Sequence, residues 1–161
     1  MNPDTFGELV GQLDYPMLVV TAADGERRGG CLVGFATQSS INPPRYLVCL
    51  SPRNHTFDIA ARATTLAVHV LAPEQHALAT LFGERTGDEV DKFERCAWRA
   101  GPDGTPILTD CARWFTGRVL ARFDAGDHVA FLLEPVAVAV AAAPGQLGFQ
   151  AVRDLRPGHP P

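Results

Sequence analysis

Apolar positions along this chain follow two spacings, one helical and one extended. The opening NPDTFGELVGQLD places Phe6, Leu9, Val10 and Leu13 at i, i+3, i+4 and i+7 behind a proline and an acidic first turn, which predicts a short amphipathic helix. PMLVVTAAD and GCLVGFATQS then read as strands joined around DGERRGG, where Asp24-Gly25 signals a hairpin and Gly29-Gly30 a bulge at the start of the second strand. After the turn INPPR, the run YLVCLS is apolar between turn residues and predicts a buried strand. NHTFDIAARA predicts a helix with Asn54 as its N-cap, TLAVHVLA another buried strand, and PEQHALATLFG a helix entered at Pro73 and left at Gly83. The charged stretch ERTGDEVDKFERCAWRAGPDGTP reads as a long excursion with one helical turn around DEVDKF. Two long strands follow, ARWFTGRVLARFD and HVAFLLEPVAVAVAAA, joined by the tight turn AGDH. Residues 144–161 carry four prolines and three glycines and are expected to form a loosely attached tail after a domain spanning 1–143.

Six or more strands with short helices between them, and no βαβ alternation, predict a mainly-β fold: an antiparallel barrel of about six strands with helical insertions. Composition agrees with one packed domain, since 161 residues with 46% hydrophobic and 20% charged can supply a core without metals or disulfides. The net charge of −4, a single lysine and scattered arginines argue against a nucleic-acid partner. No apolar run approaches the roughly 20 residues of a membrane span. The start MNPDTFGELV lacks the basic-then-apolar order of a secretory signal, so a cytoplasmic location is expected. The four cysteines form no CxxC or zinc spacing and are read as reduced structural thiols, and the carboxylates of GDEVDKFE lack the spacing of a calcium loop, so no metal is expected. GxGxxG, P-loop and GxSxG patterns are absent.

Three stretches carry candidate chemistry. In SPRNHT a strand ends at Ser51 and a helix starts at Asn54, a place where unpaired N–H groups, hydroxyls of Ser51 and Thr56, the Asn54 amide, the His55 ring and the Arg53 guanidinium can surround an anion. The same residues can equally be a cap and a turn. In GFATQSSINPP a strand ends in small polar residues that let a flat ligand approach the backbone, or simply fades into a turn. In DAGDHVAF, His128 enters the last strand after a turn, where an imidazole can orient a substrate or shuttle a proton, or lie on the surface beside a turn residue, Asp127. His69, inside a buried strand, is expected to satisfy a local hydrogen bond, and His76 to be exposed on a helix. Trp98 and Trp114 could stack on a ring, although Trp114 suits a core or dimer interface better.

In their order, INPPRYLVCLS, the helix-opening NHT, LAVHVLAPEQHALATLFG, the DKF…W excursion and GDHVAFLLEPVAV resemble the flavin reductase-like family of FMN-binding split barrels, which includes the small reductase components of two-component flavin monooxygenases. The resemblance implies a six-stranded antiparallel split β-barrel and places residues by position. Thr37, Gln38, Ser39 and Ser40, with Phe35 and Ala36 just before them, stand where the family contacts the isoalloxazine ring and ribityl chain. Ser51, Asn54, His55 and Thr56, with Arg53, stand at the FMN phosphate. Phe82 and Gly83 border the flavin, Lys92 and Phe93 cover it, and His128 matches the histidine near the nicotinamide. Where the family often has a serine pair, this chain has Gly34 and Phe35. The implied activity is hydride transfer from NADH or NADPH to FMN, with FAD also possible, supplying reduced flavin to a monooxygenase partner from a homodimer. The alternative is an FMN-bound electron carrier or sensor without pyridine-nucleotide turnover, and a third possibility is a barrel without flavin.

Overall fold

The computed structural model describes residues 2–87, 90–142 and 145–159. The first helix, α1 (Pro3–Val10), is capped by Asn2, whose Oδ1 accepts from the Asp4 N–H at 3.0 Å. The helix forms as its spacing predicts, but it buries none of its residues: Phe6, Leu9 and the following Leu13 are each about half exposed.

Strand β1 (Leu18–Ala23) is buried along its whole length and pairs antiparallel with β2 (Arg28–Val33). Gly25, at φ 103°, and Asp24, whose carboxylate accepts from the Arg27 N–H and guanidinium, close the predicted hairpin. No bulge occurs at Gly29-Gly30, because the β1–β2 register runs unbroken from Leu18↔Val33 to Ala23↔Arg28. The two glycines serve close packing instead. A Cβ on Gly30 would lie 2.6 Å from Cε1 of Phe82, and one on Gly29 would lie 2.9 Å from Cδ1 of Ile59.

The run from Cys31 to Ser40 is also two strands rather than one, broken at Gly34–Phe35 before β3 (Ala36–Ser40). β3 pairs with β4 (Arg45–Leu50), and the sheet is completed by β5 (Thr65–Val70), β8 (Trp114–Asp124) and β9 (Val129–Ala139). The order β2-β1-β5-β8-β9-β4-β3 makes seven antiparallel strands where about six were expected. Only two residues separate β2 from β3, yet these strands are the opposite edges of the sheet. The sheet must therefore curl until its edges meet, which is the split barrel. The Phe35 carbonyl, accepting from the Cys49 N–H at 2.8 Å, stitches the seam to β4. Inside lie Leu18, Val20, Val48, Leu50, Leu66, Val68, Phe131 and Leu133, with Ile59 and Ala60 of α2 (His55–Ala60) closing one end. The predicted helix turn at DEVDKF is realised as a short 3₁₀ turn at Lys92–Glu94, while Asp88 and Glu89 lie outside the described residues.

A second apolar cluster lies on the outside of the sheet, under α3 (His76–Glu84), the 3₁₀ turn and the C-terminal segment: Val19, Leu71, Phe82, Phe93, Leu108, Leu147 and Val152. Gly83 lies inside α3 rather than at its exit, where its missing Cβ admits Leu32, and Pro73 precedes the helix by three residues. A small hairpin, β6 (Trp98–Ala100) with β7 (Pro106–Leu108), was not anticipated; each strand is three residues long, and Asp103 turns the chain with φ 57°. Residues 145–159 are docked rather than loosely attached. Leu147 exchanges backbone hydrogen bonds with Met17 and Leu71, Phe149 stacks on Tyr15 at 4.9 Å, and the Gln150 side chain donates to the carbonyls of Gly11 and Leu13. Apolar Leu147, Phe149, Val152 and Leu155 anchor a segment whose prolines and glycines suggested looseness. Ala143, Pro144, Pro160 and Pro161 lie outside the described residues. Among the described residues no helix is long and apolar enough to cross a membrane.

Candidate functional site

The start of α2 is built by local hydrogen bonds. The Asn54 N–H donates to the Ser51 carbonyl at 3.0 Å, the Arg53 N–H to the Ser51 hydroxyl at 3.3 Å, and Asn54 Oδ1 accepts from the Thr56 N–H at 3.0 Å. Ser51 and Asn54 thus perform the cap-and-turn role. They also face open space. Two adjoining cavities of about 240 and 310 Å³ are both bordered by Leu32, Phe35, Ser51, Asn54, His128 and His159, forming one cleft at the barrel seam. The smaller cavity continues to Tyr15, Gly34, Cys49 and Phe149, and the larger to Phe82, Gly83, Arg85, Thr86, Leu155 and Pro157.

His128 reaches the cleft from the turn before β9. Its Nδ1 lies 2.7 Å from Asp127 Oδ1, so Nδ1 carries a proton toward the carboxylate, and its ring tilts against Phe35 with centroids 5.1 Å apart. Nε2 makes no hydrogen bond among the described residues. The His128 hydrogen bond, then its charge, hold the Asp127 carboxyl below the ordinary carboxylate range. The cleft accordingly combines apolar walls with a few oriented polar groups, which suits a flat heteroaromatic ligand.

The other candidate residues are distributed elsewhere. Thr37, Gln38 and Ser39 are exposed on the edge strand β3; Gln38, Ser39 and Ser40 border a separate open depression with Ile41 and Asn42, and Ala36 packs on the barrel core. Thr56 is buried, with its hydroxyl against the Cys31 thiol and beneath Gly29. His55 packs on Gly87 and faces a different cavity of about 270 Å³, with Arg28, Gly29, Gly30 and Lys92. Arg53 is exposed, near enough to Asp127 to help hold it ionised. Lys92 is buried, and its ammonium donates to the Gly30 carbonyl at 2.9 Å and the Phe82 carbonyl at 3.1 Å, tying β2 to α3; burial lowers its pKa, with Cys31 opposing. Phe93 sits edge-on between Phe82 and Trp98. Trp98 lies under the Arg28 guanidinium and Trp114 under that of Arg99, and neither lines the cleft.

All four cysteines are free, and burial pushes the Cys31 thiol up to about 11, with Lys92 and Thr56 pulling the other way. Cys96 and Cys111 are likewise raised to about 11, first by burial and then by the Asp110 charge. Thiols this reluctant to ionise are poor nucleophiles. Sequence reasoning missed Tyr15, Leu32, Arg85, Thr86, Leu155, Pro157 and His159 as cleft residues.

Known proteins resemble this chain in sequence and in fold. The sequence profile of a family described as "Flavin reductase like domain" matches residues 10–155. The chain is 33% identical over 136 residues to the reductase subunit HsaB of a flavin-dependent monooxygenase from Rhodococcus jostii, covering 81% of this chain and 66% of that protein. It is 30% identical over 134 residues to FMN reductase (NADH) RutF of Variovorax paradoxus, covering 83% of this chain and 74% of that one. A longer relative from Rhizobium meliloti, 32% identical over 132 residues covering 80% of this chain, is spanned over only 40% of its length. Among solved structures, a flavin reductase domain protein from Arthrobacter superposes with a TM-score of 0.84 at 23% identity, over 93% of this chain and 92% of that one.

Proposed function

The chain belongs to the flavin reductase-like family, and on that footing we propose that it is a flavin reductase, passing a hydride from NADH or NADPH to FMN, with FAD as a further acceptor, and supplying the reduced flavin to a partner monooxygenase. One observation carries the reading: Ser51, Asn54 and His128, remote in sequence, converge with Phe35 and Leu32 on a single cleft at the seam. The residues present suit a flavin. Leu32, Phe35 and Phe82 offer apolar walls that exclude water from a ring, and Ser51 and Asn54 offer polar atoms to its edge or chain. Arg85 brings a guanidinium to the same cavity, where it would neutralise a phosphate.

The bound flavin supplies the hydride acceptor, while the protein supplies orientation and electrostatics. Asp127 fixes the His128 tautomer with the proton on Nδ1, leaving Nε2 as an acceptor toward the cleft, where it seats the nicotinamide amide. Phe35 buttresses the ring in that pose.

A homodimer is part of the proposal. Gln38, Tyr46, Val70, Phe115, Pro135 and Val138 border an apolar groove of about 320 Å³, and Val136, Val138 and the α1 residues Phe6 and Leu9 are exposed. A second copy covering this surface would also meet the polar edge β3. The free thiols fit a reducing, cytoplasmic compartment. The relatives' names point to NADH and to monooxygenase partners. The test is to titrate the purified protein with FMN, FAD and riboflavin by fluorescence and to follow NADH and NADPH oxidation with each. Oxidation of a reduced pyridine nucleotide that depends on added flavin is the expected result. FMN binding without turnover would favour the electron carrier, and no flavin binding would refute both.

A further inference from the structure

Resting on the flavin reading of the cleft, we propose that residues 155–159 form a strap that walls the flavin site and brings His159 to the bound flavin as a second imidazole beside His128. The family profile matches residues 10–155, and residues 156–159 follow that match. The strap runs past the end of α3 with alternate residues facing one way: Leu155, Pro157 and His159 all border the 310 Å³ cavity. This is the two-residue alternation of an extended chain. Arg156 and Gly158 stand between them, and they meet α3. The Arg156 N–H donates to Glu84 Oε1 at 3.1 Å, and Gly158 lies so close to the backbone of Glu84, Arg85 and Thr86 that a Cβ there would come within 2.9 Å of the Glu84 carbonyl oxygen.

Two features make the strap a wall of the site rather than a plug in it. The cavity keeps its 310 Å³ with the strap in place, so the segment bounds the space without filling it. His159 also borders the smaller 240 Å³ cavity, as His128 does, which puts both imidazoles where the two halves of the cleft join. A ring occupying both halves would touch both. Arg156, Pro157 and Gly158 are exposed, and the segment rests on α3 through Leu155 at Gly83, the solvent-facing Arg156–Glu84 hydrogen bond and the close approach of Gly158. Such a segment opens at small cost compared with the barrel. Its contribution therefore falls on how long flavin stays rather than on whether the cleft exists.

The experiment measures FMN dissociation by stopped-flow fluorescence in the full chain, in a chain ending at Leu155, and in Glu84→Ala and His159→Ala. Truncation should speed dissociation about tenfold, and Glu84→Ala and His159→Ala each about threefold, with association nearly unchanged. His159→Gln, which keeps a planar polar group, should recover part of the loss. The two point substitutions leave the barrel intact and decide the matter should the truncated chain misfold. Dissociation rates within twofold of the full chain in both point variants, or slower release on truncation, would overturn the strap while leaving the flavin reading standing. A full chain that binds no FMN would overturn both together.

Discussion

His69 offers a sharp test of the packing, because one buried ring satisfies two strands at once. It lies fully buried in β5, with Nδ1 3.0 Å from the Val19 carbonyl of β1 and Nε2 accepting the Leu108 N–H of β7 at 3.0 Å. Only the neutral tautomer with the proton on Nδ1 satisfies both partners, since a proton on Nε2 would point at the Leu108 N–H. Burial accordingly pushes its pKa from 6.5 down to about 4, against a smaller opposing effect of the Val19 hydrogen bond. The unfolded chain takes up a proton near 6.5 while the folded chain resists until about 4. Stability from this site is therefore complete above pH 6.5 and falls as the pH drops toward 4. At about 1.4 kcal/mol per pH unit, the full loss is about 3 kcal/mol. The assay is urea unfolding of the wild type and His69→Gln from pH 7.5 to 4. Glutamine does not titrate, and the carboxylates and remaining histidines cancel in the difference. The wild-type advantage should shrink by about 3 kcal/mol over that range. A difference between the two proteins that stays constant with pH would refute the neutral, doubly bonded ring.

Three further outcomes follow from the site and its supports. Gly30→Ala should lower stability by about 1–3 kcal/mol, read as a fall in melting temperature, because the new methyl meets the Phe82 ring across β2. Arg85→Ala should weaken FMN about fivefold and leave riboflavin unchanged in fluorescence titrations, since the exposed guanidinium is assigned to the phosphate alone. Equal weakening of both would place Arg85 at the ring instead. His128→Ala should slow single-turnover hydride transfer by about 100-fold while FMN affinity moves less than twofold, and unaltered transfer would remove the histidine from the reaction.

Much of the barrel was legible because its signals are local. Asp24-Gly25 closes a hairpin within its own four residues, and Asn54 caps α2 through a hydrogen bond to a residue two positions on. The cleft was legible to the extent that Ser51, Asn54, Phe82 and His128 sit at strand and helix ends. What stayed hidden depends on distant partners. Gly29-Gly30 reads as a bulge until Phe82, 52 positions beyond Gly30, is seen lying against Gly30. Lys92 reads as a ligand-covering cation, whereas its ammonium is used up on two carbonyls inside the protein. Thr56 follows the strand end as a hydroxyl would in an anion site, but the turn of α2 carries it inward to Cys31. His159 stands among prolines and glycines, and only the docking of Leu147, Phe149 and Val152 brings it to the cleft.

The two-residue link between β2 and β3 has a mechanical consequence. Elsewhere each strand of the barrel is zipped to its neighbours by backbone ladders, so Gly34–Phe35 marks the line along which the cylinder is weakest. The cleft lies on that line. A molecule lodged there touches β2 on one lip and the end of β4 on the other, and so acts as a clasp for the cylinder as well as a guest in it. Filling the cleft would thereby stiffen the barrel without any moving domain.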